Sequence, residues 1–275
     1  MTVIIKYPFQ TKKRNKEFFK RKDQELTNLD WAKWAGWFDT DGCFTNAKRK
    51  TKQGYQLFAS LQLRDRHPAE LFSDMFDTSL VYQEGNTITP DGKKYISKMF
   101  KGTVSGPKAT WFTENVSPYL IKEEKREYAG ALLEDTVRSK DFNTWTKDEV
   151  TCYLASVIEG DGTIQIIYSK NAKNIAIVIN SGDKQYLANL VSIAASKLNV
   201  KCKFKKSKTY QTKKGLKDMY ALHIRCSKKT PINIDFLRDL LKYKTMTLDR
   251  KKEKIQEFVN WFDNKTVKSR LESRV

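Results

Sequence analysis

Asp41 and Asp161 are the residues whose type and surroundings could do chemistry in this sequence. Each precedes a glycine, Gly42 or Gly162, and each follows a second acid by two positions, Asp39 or Glu159. Each also ends a small-residue, apolar stretch, WAGWFDTDG at 34–42 and LASVIEGDG at 154–162. A helix of that pattern finishes in partial negative charge, so its dipole disfavours carboxylates there. One acid-glycine pair reads as a turn. The pattern recurring at an offset of 120 residues, each time ahead of strand-like sequence, reads as a repeated site. Ala35, Gly36, Ala155 and Ser156 carry little side chain, so two such helices packed side by side approach closely. That packing would bring Asp41 and Asp161 together. Two carboxylates at two negative helix ends repel each other until a hard cation relieves them. Mg²⁺ fits, because it takes a few carboxylates together with phosphate oxygens and water. The expected chemistry is metal-assisted reaction at phosphate.

The elements that must position these acids also repeat. After each motif come strand-like segments, 43–50 and 54–65 in the first half, 162–170 and 173–181 in the second. A helical pattern follows at 68–77 and 183–198, then two more strands at 79–84 and 94–105, and at 199–210 and 217–227. Helical sequence closes each half at 107–138 and 230–262. The order αββαββα, twice, implies an α+β fold with antiparallel sheets. The division expected is a basic extension at 1–30, a first repeat at 31–138, a linker at 139–147, a second repeat at 148–262 and a basic tail at 263–275.

Charge names the partner. Of 275 residues, 52 are Lys or Arg against 32 Asp or Glu, a formal net charge of +20. A folded, aromatic-rich chain with that field points to nucleic acid. The strands supply a surface for it. In GYQLFASLQLRD, Leu57, Ala59, Leu61 and Leu63 alternate with Gln56, Phe58, Ser60, Gln62 and Arg64. Lys201, Lys203 and Lys205 alternate with Val200, Cys202 and Phe204, and His223 and Arg225 with Leu222, Ile224 and Cys226. One face is apolar and the other rich in donors, as expected of a sheet packed on one side only. The donor faces, with Lys48 and Gln165 from the first strand of each half, are the expected DNA contacts, since a β-ribbon fits the major groove. Lys6, Lys12, Lys13, Arg14, Lys16, Lys20, Arg21 and Lys22 add a basic arm to this surface or a solvated tail.

Other classes fit poorly. No apolar run approaches the roughly 20 residues of a membrane span, and no signal peptide is evident. Cys43, Cys152, Cys202 and Cys226 show neither zinc nor disulfide spacing, so a reducing intracellular compartment is expected. With His67 and His223 as the only histidines, histidine-dependent hydrolysis is poorly supplied.

Trp34-Ala35-Gly36-Trp37-Phe38-Asp39-Thr40-Asp41-Gly42 and Leu154-Ala155-Ser156-Val157-Ile158-Glu159-Gly160-Asp161-Gly162 resemble the two namesake motifs of the LAGLIDADG homing endonucleases, in their single-chain form. Trp34 and Trp37 depart from the usual aliphatics, and Ser156 from glycine. The resemblance implies a pseudo-symmetric monomer whose sheets form a saddle over double-stranded DNA at a long site. It implies cleavage of both strands with short 3′ overhangs, and two or three Mg²⁺ ions shared by Asp41 and Asp161, with Thr40 and Gly160 beside them. Asp39 and Glu159 mostly support the helix ends. A lysine near each scissile phosphate is also implied. Lys108 and Lys228, each 67 residues past its motif aspartate, are the expected pair, with Lys229 a near alternative. Asp65 and Ser181 are the expected water-positioning side chains. The rivals are an RNA maturase, a DNA-binding protein on an inactive scaffold, and a basic peripheral membrane protein. The first two need neither acid, and the third needs an amphipathic basic helix.

Overall fold

A computed structural model describes residues 2–4, 12–48, 55–88, 94–134, 137–169, 172–212, 215–242 and 246–272. The chain divides into two compact units, Met1–Lys140 and Asp141–Val275. In the first unit, β1 (Thr2–Ile4) and α1 (Lys12–Glu25) precede the motif helix α2 (Asn28–Thr40). The hairpin β2 (Gly42–Lys48) and β3 (Tyr55–Leu63) follows, then α3 (Arg66–Met75). A second hairpin, β4 (Leu80–Ile88) and β5 (Lys94–Ser105), leads into α4 (Pro107–Val116) and α5 (Glu123–Leu133). The strands make one antiparallel sheet in the order β1-β4-β5-β3-β2.

The second unit repeats this plan. Its motif helix α6 (Lys147–Gly160) enters β6 (Gly162–Ser169) and β7 (Ala172–Ser181), followed by α7 (Lys184–Leu198). The hairpin β8 (Cys202–Thr212) and β9 (Gly215–Ser227) is followed by α8 (Ile234–Lys242) and α9 (Asp249–Glu272). The sheet order β6-β7-β9-β8 is that of β2-β3-β5-β4. Among the described residues, β1 has no counterpart here.

The sheets bury one face. Ala59, Leu61 and Leu63 of β3 are buried with Val104 of β5, as are Ile175, Ile177 and Ile179 of β7 with Leu222, Ile224 and Cys226 of β9. Period-two patterning places these side chains toward the helices. In the first unit the helices answer with rings, since Phe38, Phe72 and Phe112 meet with centroids 4.8–5.4 Å apart. In the second they answer with Leu187, Leu190, Leu237 and Leu240.

Three stretches differ from expectation. The described parts of 1–30, expected as an extension, pack on the first unit: β1 pairs with β4, and Phe18 of α1 is buried against Phe76 and Trp111. The side chains of Lys6, Lys12, Lys13, Arg14 and Lys16 lie outside the described residues. Each closing helical region is two helices. In the first unit a single-turn 3₁₀ helix containing Pro118, which lacks a donor, separates α4 from α5. Residues 263–272, expected as a tail, continue α9, whose sequence holds no Pro or Gly.

Candidate active site

Each motif helix starts the same way. The side chain of Asp30 reaches back to the Thr27 amide at 2.8 Å, and that of Glu149 to the Thr146 amide at 2.6 Å. Each also ends the same way. The Asp41 amide donates to Trp37 O at 2.8 Å and the Asp161 amide to Val157 O at 3.0 Å, so each aspartate closes its helix. The glycine that follows begins a strand running close over the last helical turn. A Cβ on Gly42 would lie 2.4 Å from Phe38 Cα, and one on Gly162 2.5 Å from Ile158 O. Neither glycine has a positive φ. Close approach, and not a turn conformation, requires glycine there.

The second acid of each motif is structural. Asp39, fully buried, accepts from the amides of Ile121 at 2.7 Å and Lys122 at 3.3 Å. Glu159, 1% exposed, accepts from the amides of Thr247 and Leu248, the latter at 2.8 Å, and from the Thr247 hydroxyl at 3.2 Å. Each therefore ties the motif helix to the segment before its unit's last helix.

A lysine completes each junction. Lys125 Nζ donates to Phe38 O and, at 2.9 Å, to Gly42 O, with Thr40 O at 3.5 Å. Lys251 Nζ donates to Ile158 O at 2.7 Å, Glu159 O at 2.6 Å and Gly162 O at 2.7 Å. Lys122 Nζ also donates to Asp39 O. The negative helix ends inferred from sequence are thus already met by cations. Sequence reading missed these lysines: they stand 126 residues apart, against 120 for the motifs, among 52 basic residues.

Asp41 and Asp161 remain at the helix ends, each half-buried. The Thr40 hydroxyl is turned back on Gly36 O at 3.2 Å and Trp37 O at 2.9 Å. Gly160, the last residue of α6, offers only its backbone. Strand register brings a neighbour to each aspartate. Gly42 pairs with Leu61 and Gly162 with Ile179, so Gln62 and Asn180 come next, on the sheet face away from the helices. The Gln62 amide donates to Asp41 O at 3.4 Å. Asp65 instead stands at the N-cap of α3. Ser181 is buried, and its Oγ accepts from the Asp183 amide at 3.0 Å.

The expected lysines lie elsewhere, because β5 and β9 run away from the motif ends. Ser227 pairs with Asn174, six residues along β7 from Asn180, so Lys228 is about 20 Å from Asp161. It and Lys229 are exposed in a turn. Lys108 follows Gly106, whose amide donates to Leu57 O, about 13 Å along β3 from Leu61. Its Nζ donates to Phe76 O at 2.6 Å and sits 4.4 Å from the Phe18 ring centroid. Burial holds its pKa below the ordinary lysine value, with Asp77 opposing and Arg21 adding to the shift. The following helices carry the chain back and deliver Lys125 and Lys251.

The open sheet faces carry Gln56, Phe58, Ser60 and Gln62 in the first unit, and Gln165, Lys201, Lys203, Lys205, His223 and Arg225 in the second. Arg64 is exposed just beyond β3. Lys48 ends β2, and its side chain lies outside the described residues.

Among the described residues no three His, Cys, Asp or Glu side chains form a cage. The lysines take the helix-end carbonyls, which leaves one hard carboxylate per unit for a cation that takes its other ligands from phosphate and water.

No family model matches the sequence, and no curated protein does. The chain is similar to several solved structures. The homing endonuclease I-WcaI bound to its DNA recognition sequence shares 15% identity, with 86% of this chain and 91% of that one covered and a TM-score of 0.45. The LAGLIDADG homing endonuclease I-GzeII in complex with its DNA target shares 12%, covering 88% and 92%, with a TM-score of 0.46. Full-length DUF199/WhiA from Thermatoga maritima shares 12%, covering 90% and 66%, with a TM-score of 0.38.

Proposed function

We propose that this chain is a LAGLIDADG-type homing endonuclease, a monomer that cuts both strands of DNA at a long site by magnesium-dependent phosphodiester hydrolysis. The observation that supports this is the duplicated junction, in which a buried acid and a lysine fix each motif helix end with an aspartate at its tip. Such rigidity is what a catalytic carboxylate needs and a solvated turn does not.

In this reading Asp41 and Asp161 act on one duplex, each unit serving one strand. Asp41 and Asp161 are the residues that would hold Mg²⁺. Bound magnesium supplies Lewis-acid stabilisation of charge on the phosphate and lowers the pKa of water. Gln62 and Asn180 stand one strand position past each motif and orient the attacking water by hydrogen bonding. Lys125 and Lys251 keep the helix-end carbonyls neutralised, so that the aspartate is the group presented to the cation. The open sheet faces contact base edges and phosphates. Cleavage leaves short 3′ overhangs.

Supercoiled plasmids bearing a randomised site library test this, with Mg²⁺ or Ca²⁺ present. The parent is expected to linearise a subset of sites with Mg²⁺. Asp41→Asn and Asp161→Asn should each lose at least about 100-fold in cutting while still binding DNA in Ca²⁺. Equal cutting by all three proteins would remove the assigned site. Binding to structured RNA in place of duplex would favour the maturase alternative, and binding without cleavage an inactive scaffold.

A further inference from the structure

In the first unit the helix layer stops short of the far end of the hairpin β2–β3. Tyr55 and Leu57 of β3 alternate with Gln56 and Phe58, so they turn to the helices and away from the open sheet face. Asn46 of β2 pairs with Leu57 and shares that side with buried Phe44. Beyond Leu57 the cover ends. Tyr55 is 68% exposed, and a cleft of about 750 Å³ lies between the hairpin, α4 and the end of α5. Phe19 of α1 and Trp111 of α4 line it as a stacked pair, with centroids 5.7 Å apart and planes 29° from parallel. Trp111 is fixed by Phe18 and Trp31, and by its indole N–H on Asp23 at 2.9 Å. The rim carries Asn46, Glu114 and Glu134. Neither glutamate makes an ion pair among the described residues, in a chain with 52 Lys and Arg. Glu134 closes α5 at a φ of 56°, in the left-handed region where glycine or asparagine is usual. Among the described residues α1 has no counterpart in the second unit, so this cleft stands outside the duplicated machinery.

Aromatic surface below and polar groups at the edge fit a flat ligand that stacks and donates. Every nucleobase offers a π face to an aromatic side chain. Ionised carboxylates only accept, so the edge turned to them must bring N–H groups. Guanine presents two adjacent donors, N1–H and N2–H, to a single carboxylate. Uracil and thymine instead set one N–H between two carbonyl oxygens, which a carboxylate repels. We propose that this cleft binds an unpaired nucleobase, guanine ahead of the pyrimidines, stacked on the aromatic lining with its donor edge on the rim glutamates. In a duplex that edge is already paired, so the ligand is a free nucleotide or a single strand. The site lies on the helix side of the sheet and uses neither Asp41 nor Asp161, so it goes beyond the nuclease reading and does not rest on it.

Neutral nucleosides make the test direct, because they carry no phosphate for the basic sheet to hold. Saturation-transfer NMR on the whole protein reads guanosine and uridine binding, with Tyr55→Ala, Glu114→Gln and Glu134→Gly beside the parent. Guanosine should bind about fivefold or more tightly than uridine. Tyr55→Ala should weaken guanosine by about fivefold or more through the lost stacking partner. Glu114→Gln and Glu134→Gly should narrow the preference for guanosine. In the glycine variant Tm should hold or rise, since glycine suits a φ of 56°. Oligouridine with one central guanosine identifies the source. If it binds more tightly than guanosine, with a gain over plain oligouridine that Tyr55→Ala removes, the site takes a single strand, and equal affinity of strand and nucleoside assigns it to a free nucleotide. Equal binding of guanosine and uridine, or guanosine binding unchanged in Tyr55→Ala, overturns the site. Duplex cleavage should be the same in all three variants and the parent, so failure of the pocket leaves the nuclease reading standing, and absence of cleavage leaves the pocket.

Discussion

The two units use different packing material around the same helix. In the first, Trp34, Trp37 and Phe38 of α2 pack with Phe72 and Phe112, and the Trp34 and Trp37 centroids are 5.0 Å apart. In the second, aliphatic residues prevail, with Leu154, Val157, Ile158, Ile164, Ile177 and Ile179 buried and Tyr153 the ring of α6. Yet the helix ends agree nearly atom for atom: an acid on two successive amides, a lysine on helix and strand carbonyls, a glycine without room for Cβ. Cores tolerate exchange of apolar residues if volume is kept, whereas a buried polar junction fails when one member is missing. The comparison thus separates what the fold needs filled from what it needs placed.

The sharpest way to break that comparison is to remove the lysines. Lys251 is 4% exposed with three carbonyl acceptors, whereas Lys125 is half-buried. Lys251→Met should destabilise by about 3–5 kcal/mol, because it strands buried carbonyls and a buried acid. Lys125→Met should cost roughly half as much, since water can reach what it leaves. Urea unfolding of each variant measures this. Equal losses would mean that the two junctions are alike in burial as well as in geometry. No loss in either would mean that they are incidental to stability.

Removing the acids' charge sharpens the same point. Asn in place of Asp39, or Gln in place of Glu159, keeps shape but turns an NH₂ toward amide donors. A cost of about 1–3 kcal/mol is expected for each. Calorimetric Tm values should fall in both variants, by more than for Asp41→Asn, whose side chain is half-buried. If Asp41→Asn were the more destabilising, that aspartate would be structural and the division of labour within each motif would reverse.

The motifs, their order and the strand faces are legible in the sequence because period and repetition are local properties. Leu57, Ala59, Leu61 and Leu63 announce their side of the sheet by alternation alone. The junction lysines are not legible, because their role depends on one helix meeting the end of another more than 80 residues away. The equal spacing of Lys108 and Lys228 misleads for the complementary reason. It is a true regularity of the repeat, but strand direction carries both lysines away from the aspartates. Gln62 is visible as a donor, and its place beside Asp41 comes only from the register of β2 on β3. The N-terminal strand is hidden because three residues, Thr2–Ile4, carry no periodicity to read.

The sheets themselves offer the mildest test. β1 covers β4 in the first unit, while among the described residues β8 is an open edge carrying Lys201, Lys203, Lys205, Lys206 and Lys208 near it. Lysines on an open edge blunt strand pairing between molecules as well as attracting phosphate, and the two roles leave different traces. Lys203→Gln with Lys205→Gln should change folding stability by less than about 0.5 kcal/mol, since both side chains are exposed. If they hold phosphates, the slope of log affinity for duplex against log salt should flatten by about 2. Gln56→Ala should leave that slope unchanged and relax discrimination between sites, because a side-chain amide reads bases and releases no counterions. An unchanged slope in the lysine pair, together with concentration-dependent self-association, would assign β8's charge to edge protection alone and leave the second sheet without its phosphate contacts.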